Sequence, residues 1–403
     1  MELLSVPRFR FLHSSQEGRV PFEESELRKP IPQLRPTPGG KSSSGITYGT
    51  YLTAIKTFIE KNWDRFARLL YDSVSIDGGT VSTLDIVAEK HGSEYHPARI
   101  AVEGESWRAS YVVNLAINDR GRDRLTRDFQ LLREFGLHFP RTFVPAAYFA
   151  DEVSVFRDNA SPVNCSLFVG EWFDGFHEFH LSRDENTGSL GTVVWDTDRG
   201  YEILTLEESE SVFRQAAFIL TYYYDPESFR EIFPWHHAAG DFVVSRLNGE
   251  PRVKLITVRQ YAPRLIDVQR SRESRLKALM LFIANLTVRM RLDRLDGVGE
   301  TAWAGDHCVD AVVRGAFDGL TAKVHDNMCE PALVDSFLIA ATRMSLEDAA
   351  GLFAEVMEGY DEDAPDMPVI QRHLADHILL VYRCFRNLSR HLSQRNPWSF
   401  ERP

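Results

Sequence analysis

The sequence has few cysteines, no excess of positive charge and no long apolar run. Its four cysteines are far apart and form no CxxC pair: Cys165, Cys308, Cys329 and Cys384. Scattered thiols are typical of a reducing compartment, so we interpret them as small buried residues and expect a cytoplasmic protein. With 46 basic and 58 acidic residues the net charge is −12, which argues against general nucleic-acid binding because that requires a concentrated basic face.

Segments that would cross a membrane are also missing from the sequence. The longest apolar run, ALMLFIANLTV from Ala278, is about half the ~20 residues that a bilayer requires. The N-terminal MELLSVPRFRF lacks the apolar core of a secretory signal. We therefore expect no membrane association and interpret the apolar run as a buried helix.

What the chain does contain is a polar leader and two regions of different character. Residues 1–46 include PIPQLRPTPGGKSSSG, which cannot bury enough apolar surface to order itself and predicts a flexible leader. Residues 47–175 predict a leading helix, an antiparallel sheet and one further helix. Residues 176–403 are mainly of helical periodicity, interrupted by a loop and hairpin at 234–263. The patterns together predict an α+β protein.

One stretch of the last region, Pro234–Val244 with the sequence PWHHAAGDFVV, places polar residues on a loop before a strand. An unperturbed imidazole titrates near pH ~6.5, so His236 or His237 can act as a general base, as a hydrogen-bond donor to phosphate, or as a nucleophile. Adjacent residues of an extended loop point in opposite directions, so only one should face a cleft. The other interpretation is that both histidines lock the loop by hydrogen bonds.

Asp241 and Arg259 also have two interpretations each. Asp241 either holds a metal ion or orients His236, or it accepts backbone amide hydrogen bonds within the Ala238–Gly240 turn. Arg259 follows the second strand of the hairpin. Its fixed donor fork either grips a phosphate or carboxylate, or pairs with an acidic residue across the domain boundary.

The order of these elements resembles the bilobal kinase-like fold, and within it the aminoglycoside phosphotransferase and choline kinase branch. Over residues 80–295 the resemblance implies a small antiparallel-sheet N-lobe with one helix and a larger, mainly helical C-lobe. YVVNLAI resembles the third strand, with Asn114 in place of the phosphate-binding lysine. LTRDFQLLREFG resembles the next helix, whose acidic residue is Asp128. SLFVGEWFDG resembles the hinge strand, which implies that Glu171 and Phe173 lie near a nucleotide base.

The remaining motifs of the resemblance depart from the family at chemically important positions. HGSEYHPARI stands where the phosphate-covering loop is expected, and Lys90 before it is a candidate substitute for the missing lysine. His236 occupies the place of the catalytic aspartate and Asp241 that of the metal-binding asparagine. Thr257 replaces the magnesium aspartate, and Arg259 follows two residues later.

Three functions remain open at this point. The first is a nucleotide-binding phosphotransferase acting on an unidentified small molecule or protein. It would use His236 or His237 as general base, Asp241 to hold magnesium, and Arg259 with Lys90 to neutralise phosphate, and it implies ATP or another nucleotide as cofactor. The second, favoured by the missing carboxylates, is a catalytically inactive, pseudokinase-like binding or scaffold protein. The third is a metal hydrolase using the two histidines and Asp241, although the HExxH spacing is absent.

Overall fold

The computed structural model describes residues 6–15, 18–31, 46–73, 81–89, 95–104, 107–156, 162–184, 188–196, 200–246, 249–264 and 271–392. The chain divides into two compact units. Unit 1 comprises Met1–His138 and Pro145–Asp174, and unit 2 comprises Phe139–Val144 and Gly175–Pro403. Helices and strands occur in both units, which confirms the predicted α+β class.

Unit 1 is built on a sheet with seven strands within the described ranges. They are β1 (Arg8–Ser15), β2 (Gly18–Pro21), β3 (Thr83–Ala88), β4 (His96–Glu103), β5 (Arg108–Ala116), β6 (Ala147–Phe156) and β7 (Pro162–Glu171). Their order is β2-β1-β3-β4-β5-β7-β6, with β1 parallel to β3 and the other neighbours antiparallel. The helices are α1 (Glu24–Leu27), α2 (Tyr48–Lys61), α3 (Trp63–Ser73) and α4 (Asp119–His138).

The core of unit 1 lies between the sheet and helices α2 and α3. Helix α2 begins after Thr47, whose hydroxyl accepts a hydrogen bond from the Thr50 amide at 3.2 Å. Leu52, Ile55 and Ile59 recur at helical spacing and are fully buried, as expected for an amphipathic helix covering a sheet.

Part of the predicted leader belongs to this sheet. Strand β1 pairs in parallel with β3, and Arg10 donates from Nε and Nη2 to the two carboxylate oxygens of Asp85, at 2.6 and 2.8 Å. Asp85 is buried, so the fork of Arg10 compensates its charge. Composition could not reveal this strand because its hydrogen-bond partners lie far along the chain. Residues 32–45, which hold most of the Pro, Gly and Ser cluster, lie outside the described residues.

Unit 2 combines a sheet with six helices in its described residues. The strands are β8 (His177–Arg183), β9 (Leu190–Asp196), β10 (Gly200–Ile203), β11 (Arg230–Ile232), β12 (Phe242–Ser245), β13 (Arg252–Leu255), β14 (Tyr261–Pro263), β15 (Leu292–Arg294) and β16 (Thr301–Trp303). The helices are α5 (Leu206–Tyr223), α6 (Arg272–Arg289), α7 (His307–His325), α8 (Pro331–Arg343), α9 (Leu346–Glu358) and α10 (Met367–Leu392). One sheet has the order β10-β9-β8-β12-β13, and β11-β14 and β15-β16 form two-stranded ribbons.

The start of unit 2 departs from the predicted helical character. Residues 177–203 form the meander β8–β10. Strand β8 has the sequence HEFHLSR, and its buried residues include His180 and Ser182. Buried polar residues weaken the apolar alternation from which strands are predicted. Because β8 also pairs with β12, this meander supports the loop before β12.

Helices α5 and α7 pack closely because two glycines of α7 face the backbone of α5. A Cβ atom on Gly315 would lie 2.0 Å from the Arg214 carbonyl oxygen, and one on Gly319 would lie 2.8 Å from the Phe218 carbonyl oxygen. Neither position therefore tolerates a larger residue without separation of the helices. No helix within the described ranges has both the length and the apolar character needed to cross a membrane.

Candidate functional site

The candidate site is the loop Pro234–Asp241, which connects β11 to β12. His236 is extended, His237–Ala239 form one 3-10 turn, and Gly240 adopts a left-handed conformation with φ 65° and ψ 26°. The Gly240 amide donates to the His237 carbonyl at 2.8 Å. The turn brings the Asp241 carboxylate back to the start of the loop, where Oδ2 accepts the His236 amide at 2.8 Å.

Asp241 is buried, with 1% of its surface exposed, and Arg259 binds its carboxylate through two parallel hydrogen bonds. Nη1 donates to Oδ2 and Nη2 donates to Oδ1. Asp241 accepts a backbone amide, but it is the amide of His236 and not one within the Ala238–Gly240 turn that was predicted. Arg259 pairs with a carboxylate of its own unit rather than across a boundary. A metal ion at Asp241 would have to displace this guanidinium.

His236 accepts a hydrogen bond from Arg289, at the end of α6. Arg289 Nη2 lies 3.1 Å from His236 Nδ1, so the neutral ring carries its proton on Nε2. Burial lowers the pKa of His236 to about 4, and the positive charges of Arg289 and Arg259 act in the same direction. The residue is exposed to solvent, but its Nδ1 is occupied by the hydrogen bond from Arg289, so this nitrogen is not free to take a proton from a substrate.

Arg289 has no carboxylate partner within ion-pair distance in the part of the chain that the structure describes. Its guanidinium lies 5.1 Å from the Phe233 ring centre and 5.8 Å from that of Trp235. Nη2 also donates to the Trp235 carbonyl at 3.3 Å, and the buried Nε has no hydrogen-bond partner among the described residues.

We call His236, Asp241, Arg259 and Arg289 the loop cluster. Two guanidiniums face one carboxylate within the cluster, and the carboxylates of Glu231 and Asp366 are also close enough to interact electrostatically with Arg289 and His236. Arg289, whose guanidinium has no carboxylate within ion-pair distance among the described residues, is the group of the cluster that can receive an anionic ligand.

His237, unlike the exposed His236, is buried, with 3% exposure. Four aromatic ring centres lie 5.4–5.8 Å from its own: Phe179, Phe213, Trp235 and Phe242. Burial lowers the pKa of His237 to about 4, and the Asp293 carboxylate and, to a smaller extent, the Met290 carbonyl oppose this only in part. The crevice beside the ring is too narrow for a water molecule. His237 therefore packs the loop and is not placed to act as a base or nucleophile.

A second polar group, absent from the sequence analysis, lies beneath the loop. His180 is fully buried, with Nε2 3.5 Å from Glu178 Oε2 and Nδ1 3.6 Å from Asp293 Oδ1. Burial opposes protonation of His180, but the neighbouring carboxylates of Asp293 and Glu178 raise its pKa overall. Asp293 Oδ2 also accepts the Leu181 amide at 2.8 Å. We call these three residues the His180 cluster. In the sequence, the local pattern that could have indicated this cluster is the alternation of polar residues in HEFHLSR, the sequence of β8.

Gly240 connects the loop to the His180 cluster. A Cβ atom there would lie 2.5 Å from Glu178 Oε1. We expect Gly240→Ala to lower the free energy of unfolding by about 1–3 kcal/mol, because alanine is disfavoured in the left-handed region and the carboxylate must move. Urea unfolding measures this loss, and the double change Glu178→Ala, Gly240→Ala should recover the part caused by the contact.

The matched control for this substitution is Gly136, which lies in helix α4, where an added Cβ atom would have no neighbour within 4 Å. Gly136→Ala should raise the free energy of unfolding by about 0.5–1 kcal/mol because alanine loses less backbone entropy in a helix. Equal stability of Gly240→Ala and the unchanged chain would contradict the left-handed turn.

The nucleotide-site candidates of unit 1 have partners of their own. Asn114 is buried in β5, opposite Phe168 of β7. Asp128 of α4 is 2% exposed, pairs with Arg124 of the same helix at 3.0 Å and accepts the Tyr95 hydroxyl at 3.1 Å. Asp128 therefore stabilises the helix region through local contacts.

The hinge candidates lie at the end of β7. Glu171 Oε2 accepts the Ala146 amide at 3.1 Å, and the Glu171 amide donates to the Ala146 carbonyl at 2.8 Å. Phe173 follows this strand and is half-buried. Lys90 lies outside the described residues, so its predicted role stays a prediction.

Comparison with known proteins gave no further guide to function. A scan against protein-family models and a search of curated proteins produced no match to the chain. Across the described ranges, no group of three or more His, Cys, Asp and Glu side chains is arranged to hold a metal ion. The loop cluster therefore supplies the functional evidence.

Proposed function

We propose that this chain is a pseudokinase-like binding protein of bilobal kinase-like fold, whose loop cluster binds an anionic, phosphate-bearing ligand without transferring the phosphoryl group. The observation that carries the proposal is the closed Asp241–Arg259 pair beside Arg289, a guanidinium without a carboxylate partner among the described residues.

The element order of unit 1 supports the kinase-like part of the proposal. Strands β3, β4 and β5 are followed by α4, and then by β6 and β7, with β7 beside β5. The resemblance implies the same succession of three strands, a helix and two strands ending at a hinge. In unit 2 the loop leads into the antiparallel pair β12–β13, where the resemblance places the strands around the metal site.

The loop chemistry supports binding rather than transfer. Phosphoryl transfer depends on a carboxylate-held metal and a residue that orients the nucleophile. Asp241 is engaged by Arg259, and Thr257 offers no carboxylate. His236 accepts a hydrogen bond from Arg289, so its Nδ1 is not free to take a proton.

The same groups support recognition of an anion. Phosphate oxygens accept hydrogen bonds from guanidinium groups in a strong, charge-assisted way. Arg289 lies against two aromatic rings, which hold its side chain in place and lower its exposure to water. Its interaction with a bound anion would therefore be screened less than at an open surface.

A thermal shift titration tests this proposal. We expect pyrophosphate and ATP to raise the melting temperature, with or without Mg²⁺, because a ligand stabilises the native state by mass action. In the Arg289→Gln variant the melting-temperature shift should be much smaller. We expect the ligand to lose about 2 kcal/mol of binding free energy, because it loses a charged hydrogen-bond partner. Arg272→Gln, an exposed arginine at the other end of the same helix, serves as the control and should keep the shift.

Two results would contradict the proposal. If neither pyrophosphate nor ATP shifts the melting temperature, the loop cluster is not an anion site. If ATP is turned over in a Mg²⁺-dependent manner and His236→Ala abolishes turnover, the chain is a phosphotransferase instead.

A further inference from the structure

Unit 2 contains a cavity of about 140 Å³ beside helix α6. The lining residues are mostly aromatic or aliphatic: Tyr224, Phe229, Glu231, Arg264, Ala278, Leu281, Phe282, Asn285, Glu355, Val356 and Gly359. A wall of this kind favours an apolar ligand body. The volume is close to the ~150 Å³ of an engineered cavity that binds benzene, so one small ring fits.

The cavity and the loop cluster share one stripe of α6. Ala278, Leu281, Phe282 and Asn285 recur at helical spacing and line the cavity. Arg289 of the loop cluster follows Asn285 by four residues, or about 6 Å along the helix axis. Side chains of a helix lean toward its N-terminus, so that of Arg289 leans back toward Asn285. A ligand held by Arg289 can therefore extend along the stripe into the cavity.

Two aromatic side chains connect Arg289 to the cavity wall. The Phe233 ring centre lies 4.3 Å from the guanidinium of Arg264, which lines the cavity, and 5.1 Å from that of Arg289. The Tyr360 hydroxyl donates to Asn285 Oδ1 at 2.8 Å. Burial raises the pKa of this hydroxyl, and the nearby positive charges of Arg289 and Arg264 oppose the rise. Both guanidiniums therefore lie beside the same two rings, at the edge of the cavity.

The carboxylates around the cavity and the loop cluster are paired with cations other than Arg289. In addition to the Asp241–Arg259 pair, Glu231 lies 3.3 Å from Arg264, Glu355 lies 2.8 Å from Lys277, and Asp366 lies 3.9 Å from Arg294. Glu231 also interacts with Arg289 at longer range, but none of these carboxylates is within ion-pair distance of it. An anionic ligand group can therefore bind Arg289 without displacing an ion pair.

We propose that the loop cluster and this cavity form one site for a phosphate monoester of a small aromatic alcohol. The inference rests on the proposed function and adds the chemical class of the ligand. The phosphate accepts hydrogen bonds from Arg289, and the ring packs in the cavity against Leu281, Phe282 and Val356. A short linker along α6 joins the two groups.

Benzyl phosphate is the probe, titrated into the full chain and followed through its proton signals by ligand-observed NMR. Methyl phosphate carries the same anion without the ring, and benzyl alcohol carries the same ring without the anion. We expect benzyl phosphate to bind at least about tenfold more tightly than either. Methyl phosphate loses the burial of the ring, and benzyl alcohol loses the charge-assisted hydrogen bonds.

Gly359→Leu fills the cavity from its wall. Gly359 has a helical backbone conformation, and an added Cβ atom would lie 3.4 Å from Val356 O and 3.7 Å from Arg264 Nη2, so a side chain is tolerated. This variant should bind benzyl phosphate only as weakly as methyl phosphate, whose own affinity should not change. Gly351→Leu, at an exposed glycine of α9 where an added Cβ atom has no neighbour within 4 Å, is the matched control.

Two further variants complete the experiment. Leu281→Trp enlarges a half-buried lining residue and should reproduce the effect of Gly359→Leu, which keeps the test independent of the folding of one variant. Arg289→Gln should weaken both phosphate esters and leave benzyl alcohol unchanged, because it removes the anion's donor and not the cavity.

The contrary results separate this inference from the proposed function. If benzyl phosphate binds no more tightly than methyl phosphate, or equally well in both cavity-filling variants, the cavity takes no part and the loop cluster remains a phosphate site. If benzyl alcohol binds as tightly as benzyl phosphate, or Arg289→Gln leaves benzyl phosphate binding unchanged, the two regions are not one site. If neither ester binds but pyrophosphate still raises the melting temperature, only the joint site is wrong. If pyrophosphate also has no effect, the proposed function is wrong as well.

Discussion

Replacing Asp241 by alanine should lower the free energy of unfolding by about 3–5 kcal/mol, the usual cost of breaking a buried ion pair from one side. The carboxylate is 1% exposed and accepts two hydrogen bonds from Arg259 and one from the His236 amide. Without it, Arg259 loses its carboxylate partner and the turn loses its lock. Urea unfolding followed by circular dichroism measures the loss.

The control for this experiment is an ion pair at the surface. Glu60 pairs with Lys56 at 3.0 Å, with both side chains about two-fifths exposed (38% and 40%). Glu60→Ala should cost about 0.3–0.5 kcal/mol, as for exposed pairs one helical turn apart. Each substitution removes one carboxylate of an ion pair, so the difference between the two losses in free energy of unfolding measures the effect of burial.

A double-mutant cycle separates a structural role of Asp241 from a functional one. If the pair acts as one unit, Arg259→Ala in the Asp241→Ala background should cost much less than in the unchanged chain. If Asp241→Ala has wild-type stability, the carboxylate does not lock the turn and is free to serve a ligand, contrary to our proposal.

The second large effect is loss of stability in mild acid. Burial lowers the pKa of His237 to about 4 and that of His377 to about 3, from an ordinary value of 6.5. His377 is fully buried, with Nε2 3.0 Å from the Thr287 hydroxyl. Below pH 6.5 the unfolded chain therefore begins to bind protons at these two histidines, while the folded state still keeps both rings neutral.

The direction of this effect follows from proton linkage. Above pH ~6.5 both states leave these rings neutral, and the stability is complete. As the pH falls, the unfolded state takes up protons first, so each ring removes up to about 1.4 kcal/mol per pH unit until its folded-state pKa is reached. His180 acts in the opposite direction: because its pKa is raised, its contribution is present below the ordinary pKa and is lost as the pH rises.

His237→Phe tests the contribution of one of the two rings to this prediction. The residue has aromatic neighbours on four sides and no ring hydrogen bond of good geometry among the described residues, so phenylalanine keeps the packing and removes the titration. Urea unfolding between pH 7 and pH 4 should show a shallower acid dependence, by up to about 1.4 kcal/mol per pH unit. An unchanged slope in His237→Phe would contradict the lowered pKa.

Local sequence patterns determined much of the framework. Helix α2, strands β4 and β5 and helix α4 follow from periodicity and turn residues close to each element. The loop was also recognisable, because Gly240 permits a left-handed residue and Asp241 can bond to a nearby amide. His236 is exposed and His237 is buried, although His237 begins a 3-10 turn and does not continue the extended loop from which the alternation was predicted.

The tertiary structure decided what those loop residues contact. Arg259 binds the carboxylate of Asp241. Arg289 donates a hydrogen bond to His236, although the two residues are 53 positions apart in the chain. The Leu181 amide donates to Asp293, which is 112 positions away. Strand β1 likewise joins the sheet by pairing with β3, whose residues lie 75 positions further along the chain. Such partners are chosen by packing and strand register, which short-range periodicity does not encode. The sequence alone determined which residues could carry chemistry at the loop, and the packing around it decided that Asp241 is engaged while Arg289 lacks a carboxylate partner among the described residues.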